Sequence, residues 1–123
     1  MCKLLMSINP EYVESILAGT KQFEFRKTKC REKIESIVIY STSPIMKVVA
    51  EVKVKKIIEG PPQEVWEETS HAAGIEKDFF DDYYNGRDIA VAYALGKVKA
   101  FKTPRKLSYY GIKNAPQSYV YLR

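Results

Sequence analysis

The sequence predicts one α+β domain, residues 1–123, with five or six strands curled into a small β-barrel and helices packed on its outside. Three observations lead there. Strand-like runs fall at 3–8, 34–40, 48–58 and 89–101, the second of them rich in β-branched residues. A short, sharply bounded helix separates the first strand from the second. A second helical stretch, 62–86, interrupts the later strands after Gly60-Pro61-Pro62. No repeat, low-complexity tract or linker divides the chain, and 123 residues suffice to bury a core without disulfides or metals.

The elements follow in order. Lys3 to Ile8 reads as a buried first strand. Asn9-Pro10 opens a helix, because Asn is a favoured cap and proline at the first helical position loses no needed hydrogen bond. Tyr12, Val13, Ile16 and Leu17 give that helix an apolar face, and Gly19 supplies a left-handed stop. A strand over 22–27 follows at once, then a basic loop from Thr28 to Lys33 with no apolar period. Ile34 to Tyr40 is a central strand, and Ser41-Thr42-Ser43-Pro44 is turn chemistry. Val48 to Ile58 alternates until Gly60-Pro61-Pro62 breaks it. Within 62–86, Glu64 lies in a first helical turn beside Val65 and Trp66. Glu76 to Tyr84 makes a further helix carrying Phe79, Phe80, Tyr83 and Tyr84, aromatics whose helical spacing reads as packing. Ile89 to Leu95 and Lys97 to Phe101 are two strands, or one bent at Gly96, and Thr103-Pro104 breaks the pattern. Leu107 to Ile112 is a turn or short helix, and Gln117 to Leu122 a last strand. Tyr109-Tyr110 after Arg105-Lys106 reads either as a cover for one end of the barrel or as a stacking platform.

Composition narrows the chemistry. No run approaches the roughly 20 apolar residues of a membrane span, and no secretory leader opens the chain, so a cytoplasmic protein with no membrane partner is expected. Cys2, Cys30 and His71 have no metal-ligand spacing, so neither metal nor cofactor is expected. One histidine leaves little room for Ser-His-Asp or Cys-His catalysis. The net charge is +5, unevenly distributed. Residues 21–33 and 97–106 are basic, whereas Glu59, Glu64, Glu67, Glu68, Glu76, Asp78, Asp81 and Asp82 make the middle acidic. If the basic segments meet in the fold, the basic side suits a polyanion. The acidic helices 62–86 are then a candidate face for a protein partner.

Function concentrates in Gly19-Thr20-Lys21-Gln22-Phe23-Glu24-Phe25-Arg26-Lys27. Alternation puts Phe23 and Phe25 on one face and Glu24 and Arg26 side by side on the other, with Lys21 entering where the chain leaves the helix.

The order helix, Gly-x-Lys-x-x-Glu-x-Arg (Gly19, Lys21, Glu24, Arg26), then strands resembles the ASCH domain, a branch of the PUA-like superfamily. Met6-Ser7-Ile8-Asn9-Pro10, Tyr40-Ser41-Thr42-Ser43-Pro44 and Ala115-Pro116-Gln117-Ser118-Tyr119 extend the likeness along the chain, which is similar to small prokaryotic members labelled as regulators. The resemblance implies a PUA-like barrel whose polar cleft binds RNA or a modified nucleoside or nucleotide. It places Ser7, Lys21, Glu24, Arg26, Tyr40, Ser41, Ser43, Gln117 and Ser118 around that cleft. Lys21 and Arg26 would meet phosphate or carbonyl, Glu24 an exocyclic amine, and Tyr40 the face of a base. Some members are amidohydrolases acting on acylated cytidine, with a nucleophilic Thr where this chain has Glu24. Others cut RNA. In either hydrolase reading the candidate catalytic residues are Lys21, Glu24 and Tyr40. Without the nucleophile, binding is the expected role.

Overall fold

Strand β1 (Cys2–Ile8) lies inside the sheet, parallel to β3 (Ile34–Ser41) and antiparallel to β6 (Tyr119–Leu122). The structure, a computed structural model, describes residues 2–122. Parallel neighbours cannot be joined by a tight turn, so the chain leaves β1 through helix α1 (Pro10–Ala18) and crosses to β2 (Phe23–Arg26) at the far edge. Asn9 stands at the cap position in extended backbone, yet its side chain makes no capping bond; its Oδ1 instead accepts from the Thr42 hydroxyl at 3.3 Å. Gly19 ends the helix as expected, at φ 85°.

With β4 (Lys47–Gly60) and β5 (Ala90–Arg105), the sheet order is β2-β5-β4-β3-β1-β6. β5 is one continuous strand. Gly96 does not end it; the register against β4 slips between Val52 and Lys56 instead. The expected break at Thr103-Pro104 is also absent, because the strand continues to Arg105, which pairs with Val48. A proline can occupy such a position where the ladder is already irregular.

The two edges meet. Arg26 on β2 reaches the Ser7 carbonyl on β1 at 3.0 Å and the Ser118 hydroxyl just before β6 at 3.2 Å. The sheet is therefore curled into a half-barrel whose seam is bridged by side chains rather than by ladder hydrogen bonds. Its inner face carries Leu4, Met6, Ile8, Ile37, Ile39, Val52, Val91 and Tyr93, closed at one end by Val13 and Ile16 of α1. Helices α2 (Pro62–Thr69) and α3 (Lys77–Tyr83) pack outside, where Val65, Phe80 and Tyr84 meet Phe23, Phe25 and alanines 90, 92 and 94 of β5. Three alanines on β5 let the helices approach the sheet closely. A third cluster, Leu5, Val38, Tyr40 and Val48, is covered by the 3₁₀ turn Leu107–Tyr110 and by β6. Tyr84 closes the end of the β2–β5 pairing: its hydroxyl donates to the Arg26 carbonyl at 2.8 Å and to that of the paired Val91 at 3.1 Å, lying between the two strands.

Candidate functional site

The seam opens into a pocket of about 240 Å³. The end of β1 contributes Ser7, Ile8 and Asn9, and α1 contributes Tyr12. β2 with its approach supplies Lys21, Glu24, Phe25 and Arg26, while Ile75, Phe79 and Tyr83 come from α3 and the turn before it.

Its polar centre is built from buried charges. Glu24 is 7% exposed and faces inward because β2 turns Phe23 and Phe25 toward the outer helices. One carboxylate oxygen, Oε2, accepts from Arg26 at both Nη2 (2.8 Å) and Nε (3.2 Å). The other, Oε1, lies 3.9 Å from Lys21 Nζ, beyond hydrogen-bond reach, and accepts no hydrogen bond among the described residues. It is available to a donor on a ligand.

Lys21 is 3% exposed. Its ammonium donates to the Ala73 carbonyl at 2.9 Å and sits over the rings of Phe25 (5.0 Å to the centroid) and Tyr12 (5.4 Å). Burial lowers its pKa from the usual lysine value; Glu24 opposes that shift and Arg26 adds to it. The lysine stem can lie so deep because Gly74 has no side chain: a Cβ there would stand 2.5 Å from the Lys21 Cβ. Tyr83 has its pKa raised by burial, and its ring carries the Lys27 ammonium at 4.9 Å.

Of the residues expected around the cleft, Ser7, Lys21, Glu24 and Arg26 line the pocket, and Ser118 joins them by accepting from Arg26. The Ser7 hydroxyl itself donates to the Pro116 carbonyl at 2.7 Å. The other four do not line it. Tyr40 is buried with Leu5, Val38 and Val48, because along β3 it shares a face with Val38, opposite Ile37 and Ile39. Ser41 is buried beside it at the end of β3. Ser43 is exposed in the following turn, and Gln117 is exposed before β6.

Sequence reasoning missed the aromatic wall. Phe79, Phe80, Tyr83 and Tyr84 look like a single packing stripe, but only Phe80 and Tyr84 are buried; Phe79 and Tyr83, one step around α3, face the pocket. Four aromatics at i, i+1, i+4 and i+5 span more arc than one packing face needs, and that was the signal available. No threonine lines the pocket; Thr20 donates instead to the Ser15 carbonyl.

The two basic segments both border β4, which lies between them. The 28–33 loop forms a groove with β4 in which Lys29, Arg31, Lys33, Lys55 and Lys56 surround a volume of about 400 Å³. Residues 98–100 of β5 pair with β4 on its other side. Among the described residues no three His, Cys, Asp or Glu side chains cluster as metal ligands. No helix among the described residues is long and apolar enough to cross a membrane.

Comparison with known proteins bears on this geometry. The model of the ASCH domain matches residues 6–104. Large ribosomal subunit protein uL22 of Ureaplasma parvum is 29% identical over 98% of this chain and 39% of its own length. An ASCH domain-containing ribonuclease of Zymomonas mobilis is 27% identical over 74% of this chain and 62% of its own. The chain thus spans less than two-thirds of either relative. The crystal structure of ASCH from Zymomonas mobilis superposes with a TM-score of 0.88 at 25% identity, covering 98% of this chain and 87% of that one.

Proposed function

The chain belongs to the ASCH domain family, and from that premise we propose that it binds RNA by seating one nucleobase in the pocket at the barrel seam. The observation that carries this reading is the meeting of buried Lys21 and Glu24 and half-buried Arg26 with aromatic walls in one small space. A volume of about 240 Å³ lies below the usual range of drug-sized pockets and suits a single base. Glu24 Oε1 accepts from an exocyclic amine, which adenine, cytosine and guanine carry and uracil lacks. Tyr12 and Phe79 offer ring surface, and Arg26, whose other donors are held by Glu24, Ser7 and Ser118, keeps one Nη1 N–H for a carbonyl or phosphate. The groove of Lys29, Arg31, Lys33, Lys55 and Lys56, with Glu32 as the one acid in its lining, suits a phosphate backbone. A relative named as a ribonuclease supports RNA as the ligand class.

Titration of single-stranded RNA and of mononucleotides at two salt concentrations tests the reading. RNA affinity should fall as salt rises. Cytidine and adenosine monophosphates should outbind uridine monophosphate, and Glu24→Gln should narrow that preference by about tenfold, as expected when a charge-assisted hydrogen bond is weakened. Failure of every RNA and nucleotide to bind at low salt would sink the proposal.

A second reading, RNA cleavage, is favoured by Lys21 and Arg26 lining one pocket, where burial lowers the lysine's pKa. A less readily protonated amine can take the proton of a ribose 2′-hydroxyl as its oxygen bonds to the adjacent phosphorus. The 5′-oxygen then leaves with a proton from solvent, giving a 2′,3′-cyclic phosphate, while Arg26 stabilises the phosphorane. Incubating end-labelled RNA with wild type and Lys21→Met separates the readings: cleavage that disappears in the variant identifies a ribonuclease. Amide hydrolysis finds less support, since Glu24 occupies the place of the nucleophilic threonine.

A further inference from the structure

The C-terminal half of β5 and the turn after it build a second feature outside the pocket. The guanidinium carbon of Arg105 stands 4.0 Å from the ring centroid of Phe101 and 4.6 Å from that of Tyr109, and Arg105 donates to the Tyr110 hydroxyl at 2.9 Å. Phe101 and Tyr110 are packed onto the apolar cluster beneath, which holds them in place. Tyr109 is outside that cluster and 67% exposed, more than any other large hydrophobic residue described. Its ring is nevertheless held, with Arg105 over its face and Tyr110 at 5.0 Å in an edge arrangement. An aromatic ring that is positioned yet open to solvent loses little freedom on accepting another planar group. The adjoining recess, about 390 Å³ and bounded by residues 99–105, includes Lys99 and Lys102 and no carboxylate.

We propose that Tyr109, backed by Arg105, is a stacking platform for an unpaired base of single-stranded RNA, with Lys99 and Lys102 meeting the adjoining phosphates. This rests on the RNA-binding reading and adds a second contact point for the same strand. Residues 111–118 lead from this turn to Ser118, which touches Arg26 at the pocket rim, so platform and pocket lie at the two ends of one stretch of chain.

The test uses the full chain with two probes, a short single-stranded oligoadenylate and adenosine monophosphate. Tyr109→Ala should weaken oligoadenylate binding roughly fivefold to a hundredfold, the range for loss of one base–aromatic stack. Tyr109→Phe should bind as wild type does, and adenosine monophosphate should be unaffected by either change. Loss of stacking releases no counterions, so the salt dependence of Tyr109→Ala should match wild type. Lys102→Ala should flatten the dependence of log affinity on log salt by about 0.7. Oligoadenylate binding to Tyr109→Ala as tightly as to wild type overturns the platform. If adenosine monophosphate fails to bind while oligoadenylate binding still depends on Tyr109, the pocket reading falls and the platform stands. If neither probe binds wild type, both fall.

Discussion

Gly74→Ala should damage both the fold and the pocket, by an amount that can be separated into two parts. Gly74 has φ +71°, where an L side chain costs about 1–2 kcal/mol. The added methyl would also lie 2.5 Å from Lys21 Cβ and 2.6 Å from Cγ, distances at which something must move. Overpacking of that kind costs about 1–3 kcal/mol, giving a total of about 2–5 kcal/mol. Gly19 is the control. It has φ +85° and nothing within 4 Å of a built Cβ, so Gly19→Ala carries the backbone strain alone. Urea unfolding of both variants isolates the steric part as their difference, about 1–3 kcal/mol. For a chain of this length each kcal/mol moves the melting temperature by roughly 3–5 °C, so Gly74→Ala should melt roughly 6–25 °C below wild type. The residue before Gly74 supplies the carbonyl that holds the Lys21 ammonium, so mononucleotide affinity should fall as well. Equal destabilisation by the two substitutions would refute the claim that Gly74 exists to make room for Lys21.

Three further outcomes follow from the seam. Arg26→Ala leaves the buried Glu24 with only Lys21 at 3.9 Å and removes the bridge to Ser7 and Ser118; it should cost about 3–5 kcal/mol in urea unfolding. A cost below about 1 kcal/mol, typical of an exposed ion pair, would mean that Arg26 does not hold the edges together. Lys21 has a pKa lowered by burial, so between its native value and the unfolded 10.5 the unfolded chain binds more protons than the folded one. The stability of wild type relative to Lys21→Met should therefore rise with pH across that window, and a flat or falling difference would contradict the burial of a charged amine. Tyr84→Phe removes the hydroxyl shared by the Arg26 and Val91 carbonyls and should cost about 1–2 kcal/mol by thermal or urea unfolding; no loss would show that water replaces it freely.

The local rules were legible in the chain. Asn9-Pro10 and Gly19 bound α1, alternation sent Phe23 and Phe25 one way and Glu24 and Arg26 the other, and β-branched runs marked β3 and β4. These depend on neighbours a few residues away, which is why sequence alone reveals them. Asn9 shows the limit, because a partner distant in sequence, Thr42, competed for the side chain and won. Thr103-Pro104 shows another: an irregular pairing with β4 carried β5 through residues whose local preference was to stop.

By itself, then, the sequence determined that Glu24 and Arg26 lie side by side on one face of a strand that follows a helix, because strand spacing fixes which way each points; Lys21, which precedes the strand, joins them only in the fold. Only the tertiary structure decided what surrounds them. Curling the sheet brought β2 to β1 and put Arg26 across the seam. The helical insertion delivered Phe79, Tyr83 and the glycine that lets Lys21 lie deep. The same curl turned Tyr40 into the core on the opposite face, since strand parity settles a side but not which side becomes a pocket. Contacts between residues far apart in the chain depend on how the sheet closes, and no local pattern encodes that closure.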